Sequence, residues 1–375
     1  MSFSSSIPRA SAAALLCCVA TLQAQTSDYV WKSNRSGSFS TAANWTPDNT
    51  PFDAWGNYIF QAPGGVADPA IIVYTDGTSN LYGLQFLSPH QSVHFSPHAD
   101  GSFSVGEGGT LLFKDGGITV GASTHAVVSK IVGVHGTHAS ALRFSVGANG
   151  SLTTENWVSP AGKALIKTGE GTLFLNASTG SVANGASFNF QEGITELAEG
   201  ATIQYHSVNP TPNPLSVFIG SATTSATLRG GGTIVGQVST FGVTHSAVDL
   251  TRGSLNLSDL DATLGSTFRF DLDDPHTLSG TGSLTLGDAV FEFSGGVSDQ
   301  IYTLFVYGDL DLDTTRFTIH TSQQLDPSFG DHGWLVDEGA LQVRFAAIPE
   351  PSLFALGMAG LAIPLALYRR RRRLS

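Results

Sequence analysis

Cysteine is almost missing from this chain: among 375 residues only Cys17 and Cys18 are present. Both fall in an apolar N-terminal stretch, so the rest can build no disulfide framework and offers no thiol nucleophile. Charge is sparse, at 13% of residues, and lopsided, with 18 basic against 30 acidic side chains. Residues 25–348 hold 12 basic and 29 acidic groups, a net charge of −17. Such a field repels nucleic acid, whose binding depends on neutralising phosphates, so no nucleic-acid partner is expected. Helical periodicity is missing as well. Outside the two ends, no window longer than about ten residues repeats at the helical period, which excludes a bundle of long amphipathic helices. There is no glycine-framed serine of the hydrolase type and no Gly-x-x-x-x-Gly-Lys-Ser/Thr phosphate loop. Paired carboxylates of the glycosidase kind have no sequence signature, so that chemistry stays open.

What is abundant is glycine, 43 residues of it. Short alternations of apolar and small polar residues recur, broken by Gly, Asn and Asp. FKDGGITVGA, RFSVGANGSLTT, TLFLNAST, SFNFQEGITEL, GSLNLSDLDATL and FEFSGG each read as a strand of four to six residues and a turn. The predicted class is all-β. One phrase repeats: glycine, Thr or Ser, Leu or Ile, one residue, then an apolar one. Its Thr or Ser falls at 110, 151, 172, 233 and 283, with gaps of 41, 21, 61 and 50. The first three gaps are near multiples of ~20 residues and the last is not; such spacings point to a β-solenoid. A short strand cannot satisfy its own backbone, but stacking each turn on the last pairs every N–H and C=O along the axis. The expected fold is therefore a parallel β-helix, with β-sandwich domains as the alternative.

Both ends read as signals. Arg9 precedes the apolar run Ala12 to Ala20, and Leu22-Gln23-Ala24 offers a small residue for cleavage, so 1–24 is expected to be a secretory signal peptide. Leu16 before Cys17 argues against a lipoprotein signal. At the other end Ser352 to Tyr368 is a run of 17 uncharged residues. As a helix it would cover roughly 26 Å, just short of a ~30 Å hydrocarbon core. Arg369, Arg370, Arg371, Arg372 and Arg373 follow at once. Such a cluster resists translocation, so 352–368 is expected to be a membrane helix with its tail cytoplasmic and the bulk outside.

Pro349-Glu350-Pro351, the apolar span and the arginines together resemble the PEP-CTERM sorting signal of Gram-negative bacteria. The resemblance implies a precursor briefly anchored in the inner membrane. An exosortase-type protease would cut it near the triplet and deliver it to the cell surface or extracellular matrix. Residues 163–197 resemble the autotransporter-associated β-strand repeat at Lys167, Gly169, Gly171, Thr172, Leu173, Leu175, Gly193 and Leu197. That family implies a right-handed β-helical body. The chain departs from it at Gly-Ile-Thr-Glu-Leu, where glycine-threonine-leucine is more usual. The opening segment resembles the start of such surface proteins at Trp31, Asn44, Trp45 and Pro51. Its aromatics, Trp31, Trp45, Trp55, Tyr58 and Phe60, are expected to plug the end of the stack; the alternative is a sugar-stacking platform. The organisation expected is signal peptide 1–24, N-terminal β cap region 25–100, solenoid body 101–347 and sorting signal 348–375. Residues 205–216 read as a protruding loop and 324–334 as a polar loop before a last strand.

Few residues suggest chemistry. His90, His94 and His98 stand four apart, a zinc-like spacing on a helix that Pro89 and Pro97 disfavour. His135 and His138 form a second pair. Asp309, Asp311 and Asp313 alternate with Leu310 and Leu312, which puts carboxylates on one side and leucines on the other. The simple expectation is a solvated strand face. The sharper one is a calcium site shared with Asp271, Asp273 or Asp274. No other cofactor and no catalytic residue is assigned. The expected function is a structural or adhesive component of the surface or matrix, in contact with exopolysaccharide. The alternatives are a polysaccharide lyase or hydrolase and a carbohydrate-binding module.

Overall fold

A computed structural model describes residues 27–346, apart from 33–35, 48–55, 62–70, 76–78, 88, 90–91, 97, 99–109, 135–139, 157, 160–162, 177–178, 182–186, 206–214 and 297–298. The described residues form a parallel β-solenoid with almost no helix: two 3-10 turns, Ala42–Asn44 and Thr314–Arg316, are the helical elements among them.

One coil shows how the chain winds. His125–Val128 lies on a face here termed B, Ile131–Val134 on face C and Ala141–Val146 on face A. Ser151–Thr154 then returns to face B beside the first strand, with Ser151 next to His125 and Leu152 next to Ala126. Face B is a 12-stranded sheet running from Gly37–Ser38 to Phe317–His320, and every neighbouring pair in it is parallel. Coil length varies: Leu228 sits beside Val248, 20 residues on, while Thr195 sits beside Leu228, 33 on. The ladder keeps its register across both spacings.

Faces A and C belong to one 21-stranded sheet because some strands turn the corner without a break. Thr110–Val120 pairs with Ile131–Val134 through its first half and with Ala141–Val146 through its second. Gly117 makes that bend: its φ is +71°, and a Cβ there would lie 2.1 Å from the Arg143 carbonyl oxygen. Only glycine fits. Strands on either side of residues 99–109 pair with one another: Ser79–Phe86 with Thr110–Val120, with a register shift between Leu81 and Gly83, and Ser92–Ser96 with His125–Val128.

Alternation along each strand sends one side chain in and the next out. Stacking then converts the inward positions into columns. One runs Val93, Ala126, Leu152, Leu173, Thr195, Leu228, Val248, Phe268 and Phe291, all buried. Each large apolar member contributes ~1.5–3 kcal/mol by leaving water.

The two ends are closed differently. At the N-terminal end Trp45–Thr46 runs antiparallel to Asp28–Trp31. Trp31, Phe39, Trp45, Tyr58 and Phe60 pack edge to face and tilted with centroids 4.8–5.5 Å apart, all at most 4% exposed. The Trp45 indole N–H donates to the Phe39 carbonyl at 2.8 Å. At the other end Ala340–Arg344 turns back antiparallel to Ile301–Val306, and Trp334–Asp337 pairs outside it. Trp334 covers Phe291 and Phe317 at 4.9 and 5.3 Å.

The recurring Gly-Thr/Ser-Leu phrase does not keep to one face. Ser151 and Thr172 are direct neighbours on face B. Thr110 and Thr233 open strands on face C, and Ser283 opens one on face A. The phrase marks entry into a strand at any corner, which is why its gaps are irregular.

Candidate functional site

The residues of the sorting signal, Pro349, Glu350, Pro351 and Arg369 to Arg373, lie outside the described residues, as do 1–24 and the span 352–368. No helix among the described residues is long and apolar enough to cross a membrane. Trp55, His90, His135, His138 and the loop core 206–214 also lie outside them.

The aspartate row is where alternation puts it. Asp309 and Asp311 are exposed on face A, and Leu310 packs against the core. Asp313 caps the short turn Thr314–Arg316, accepting from the Thr315 amide at 3.1 Å and its hydroxyl at 2.5 Å. Those bonds hold its carboxyl below the usual carboxylate range. Asp271 ends a face B strand instead, and its carboxylate accepts from the Asp273 amide at 3.1 Å. Asp274 stands 3.5 Å from His276. The two aspartate sets therefore occupy different faces. Among the described residues no group of three or more His, Cys, Asp or Glu is placed to hold a metal ion.

Of the first histidine set, His94 finds partners on later coils. Its Nε2 lies 2.5 Å from Ser129 Oγ, which donates to Glu155 at 2.5 Å, and Nε2 lies 3.5 Å from Glu155 itself. Hydrogen bonding to His94 is the main reason the Glu155 carboxyl sits below its ordinary pKa. The hydroxyl stands between base and acid and is fully buried, so Ser129 is a coil-to-coil tie and not an accessible nucleophile. His98 follows on the next corner, where its amide donates to Ser96 Oγ at 3.2 Å.

Lys167 is the residue whose role only the structure reveals. It lies near the end of the strand Ala164–Thr168, points inward and is fully buried. Its ammonium donates to the carbonyls of Gly169, Gly171 (2.7 Å) and Glu192 (2.6 Å), and the Glu192 carboxylate accepts from the Gly169 amide at 2.8 Å. Burial pulls its pKa down to about 8, with Glu192 opposing. The lysine and two glycines of the repeat-like stretch are thus a corner clasp. Gly169 has φ +78°, and a Cβ there would meet the Val146 carbonyl at 2.3 Å.

Two concave sites flank face B. At the corner from B to C, Glu196, Glu199, Arg252 and His276 rim a groove of about 420 Å³. Gly230, Gly231 and Gly253 form its floor; a Cβ finds room only at Gly231, since at Gly230 and Gly253 it would meet backbone atoms at 2.0 and 2.9 Å. Arg229 holds the Glu196 carboxylate at 2.6 Å, and the exposed Arg252 stands 3.8 Å from it. At the corner from A to B, Phe218 and Phe241 stand 6.2 Å apart beside Asn189, Gln191 and Ser221, around a smaller notch of about 190 Å³. Carboxylates, guanidinium and imidazole over a glycine floor suit hydroxyl-rich ligands, as do aromatic faces beside amides. Neither site was legible in the sequence, because its members are separated by whole coils. By contrast Trp31 and Trp45, 3% and 0% exposed, present no face to a sugar.

Comparison with protein-family models, with curated proteins and with solved structures finds no match to this chain.

Proposed function

We propose that this chain is an exported structural or adhesive component of the cell surface or extracellular matrix that acts without catalysis. The observation that carries the reading is the order of residues 348–375: Pro349-Glu350-Pro351, an uncharged span, then Arg369 to Arg373. A membrane-bound protease of the exosortase type is its processing partner, and the inner membrane holds the precursor through 352–368. The coil winds right-handed, the sense that parallel crossovers favour. A cysteine-free acidic stack with closed ends suits a spacer, since every coil is held by its neighbours and needs no redox chemistry outside the cell.

The test is replacement of Pro349-Glu350-Pro351 by three alanines, followed by cell fractionation. The protein is expected to stay in the inner membrane fraction. Normal release of that variant would count against processing at the triplet.

The two corner sites favour a second reading, binding to exopolysaccharide. Retention on immobilised polysaccharide that is lost in Phe241→Ala or Arg252→Ala would support it. New reducing ends or unsaturated products, abolished by Glu196→Gln or Glu199→Gln, would instead make the chain a polysaccharide hydrolase or lyase.

A further inference from the structure

The outer surface of face B carries a column of charge whose sign alternates at every coil from Glu196 to Glu292 and which ends at the imidazole of His320. In register, Glu196 stands beside Arg229, Arg229 beside Asp249, Asp249 beside Arg269, Arg269 beside Glu292, and Glu292 beside His320. Two of these contacts are close ion pairs, Glu196–Arg229 at 2.6 Å and Arg269–Glu292 at 2.7 Å, and His320 stands 3.9 Å from Glu292. The column beside it is small or β-branched and uncharged: Ile194, Thr227, Ala247, Thr267, Val290 and Thr318, of which Ala247 and Thr267 are buried and Thr267 donates to the Val243 carbonyl at 2.9 Å. Within one chain the alternation supports stacking, because opposite charges on neighbouring strands attract.

The same pattern has a second property. The four fixed charges from Arg229 to Glu292, read backwards, give the opposite sign at every place. We propose that this surface is a contact for a second copy of the chain, laid face to face and antiparallel. A two-fold axis, passing between Asp249 and Arg269, sets each column against itself in reverse. Glu196 then faces His320 of the second copy, Arg229 faces Glu292, and Asp249 faces Arg269. In the uncharged column Ile194 faces Thr318 and Thr227 faces Val290, while Ala247 and Thr267 between them are buried. A parallel arrangement in register would set like charge against like, so the pattern selects direction as well as partner. The partly exposed side chains that would meet are Arg269 and Glu292, each 39% accessible, and His320, 61%.

Strand spacing of ~4.8 Å and ~3.3 Å per residue give roughly 400 Å² per copy over these six strands. That is a small interface, so association is expected to be weak, with Kd on the order of tens of micromolar, and sensitive to salt. It goes beyond the sorting reading and does not depend on it, since purified protein is used.

Sedimentation equilibrium at rising concentration tests the contact. The wild-type protein is expected to dimerise at low salt, and ~0.5 M NaCl to weaken the dimer on the order of tenfold. The double exchange Glu196→Arg with Arg229→Glu reverses the close pair within the chain. Across the contact it sets a carboxylate at position 229 against Glu292 of the second copy. Within the chain it adds two like-charged neighbours, Asp249 beside position 229 and Arg252 beside position 196, so a thermal midpoint and circular dichroism accompany it. His320→Glu, at the exposed end of the ladder, sets a carboxylate beside Glu292 at a position 61% accessible, where the cost to folding is small and the same thermal midpoint reads it. Both are expected to fold as wild type and to lose at least threefold in association. A wild-type protein that stays monomeric to about 500 µM at low salt overturns the proposal. So does wild-type-like self-association of folded His320→Glu and of the exchange variant, which would leave the ladder a device of stacking alone.

Discussion

Single residues at the corners decide whether a coil can close. Lys167 is the clearest, because three backbone carbonyls converge on its ammonium inside the protein. Lys167→Met keeps the bulk and removes the donors, so it is expected to destabilise by ~2–4 kcal/mol, read as a lower urea midpoint. The pH dependence has a definite sign. The folded pKa of about 8 lies below the ordinary 10.5, so between these values the folded state binds fewer protons than the unfolded one. This group's contribution to stability therefore rises with pH across that window, and wild type should gain on Lys167→Met between pH 8 and 10.5. Aspartates act at other corners. Asp313 and Asp326 each accept an amide and a hydroxyl two residues on, which lowers both pKa values. Their support is present above the ordinary carboxylate pKa and is lost as pH falls through the lowered folded values. Asp313→Asn and Asp326→Asn should each flatten the acid limb of the stability curve. Asp-x-Thr and Asp-x-Ser are visible in the sequence, but only the corner placement gives them this meaning.

Elements come next, and their ends matter most. A coil in the middle is supported on both sides, whereas a terminal coil has one neighbour and an open edge. The aromatic plug supplies the missing side. Trp45→Ala removes a fully buried ring and its bond to Phe39, at an expected ~3–5 kcal/mol. Since coils couple mainly to neighbours, the loss should stay local. Hydrogen exchange should quicken in Asp28–Trp31 and Asn57–Phe60 while Ser266–Asp271 keeps its protection. Uniform acceleration would mean the stack unfolds as one unit. The plug was legible from aromatic density in a chain that is otherwise small-residue and polar. The closing hairpin around Trp334 was read only as a loop and a last strand, because Trp334–Asp337 is four residues with one buried side chain.

For the whole molecule, stacking governs both stability and surface. The parallel ladder ties residues 20 or more apart and spaces outward side chains at one strand per coil. That regularity turns scattered Glu, Arg, Asp and His into an alternating column and turns three glycines into the floor of a groove. Gly231 tests the groove at this scale. A Cβ there would meet only the Glu199 backbone and Cβ at 3.4–3.7 Å, an ordinary contact. Gly231→Leu is therefore expected to fill the groove and to leave stability within about 1 kcal/mol of wild type, read from a urea titration. If polysaccharide is retained by wild type, the same variant should weaken that retention.

By itself the sequence determined the class of the fold, the inward and outward side of most strands and the sealing of the N-terminal end. These follow from local alternation, glycine at corners and aromatic clustering, each of which acts over a few residues. Which residues meet across coils was decided only by the tertiary structure. Coil length changes from 20 to 36 residues, so no fixed period in the chain records who stands above whom. Lys167 under Glu192, His94 beside Glu155 and the alternating column on face B all exist because hydrogen bonding between coils, and not spacing along the chain, sets the register.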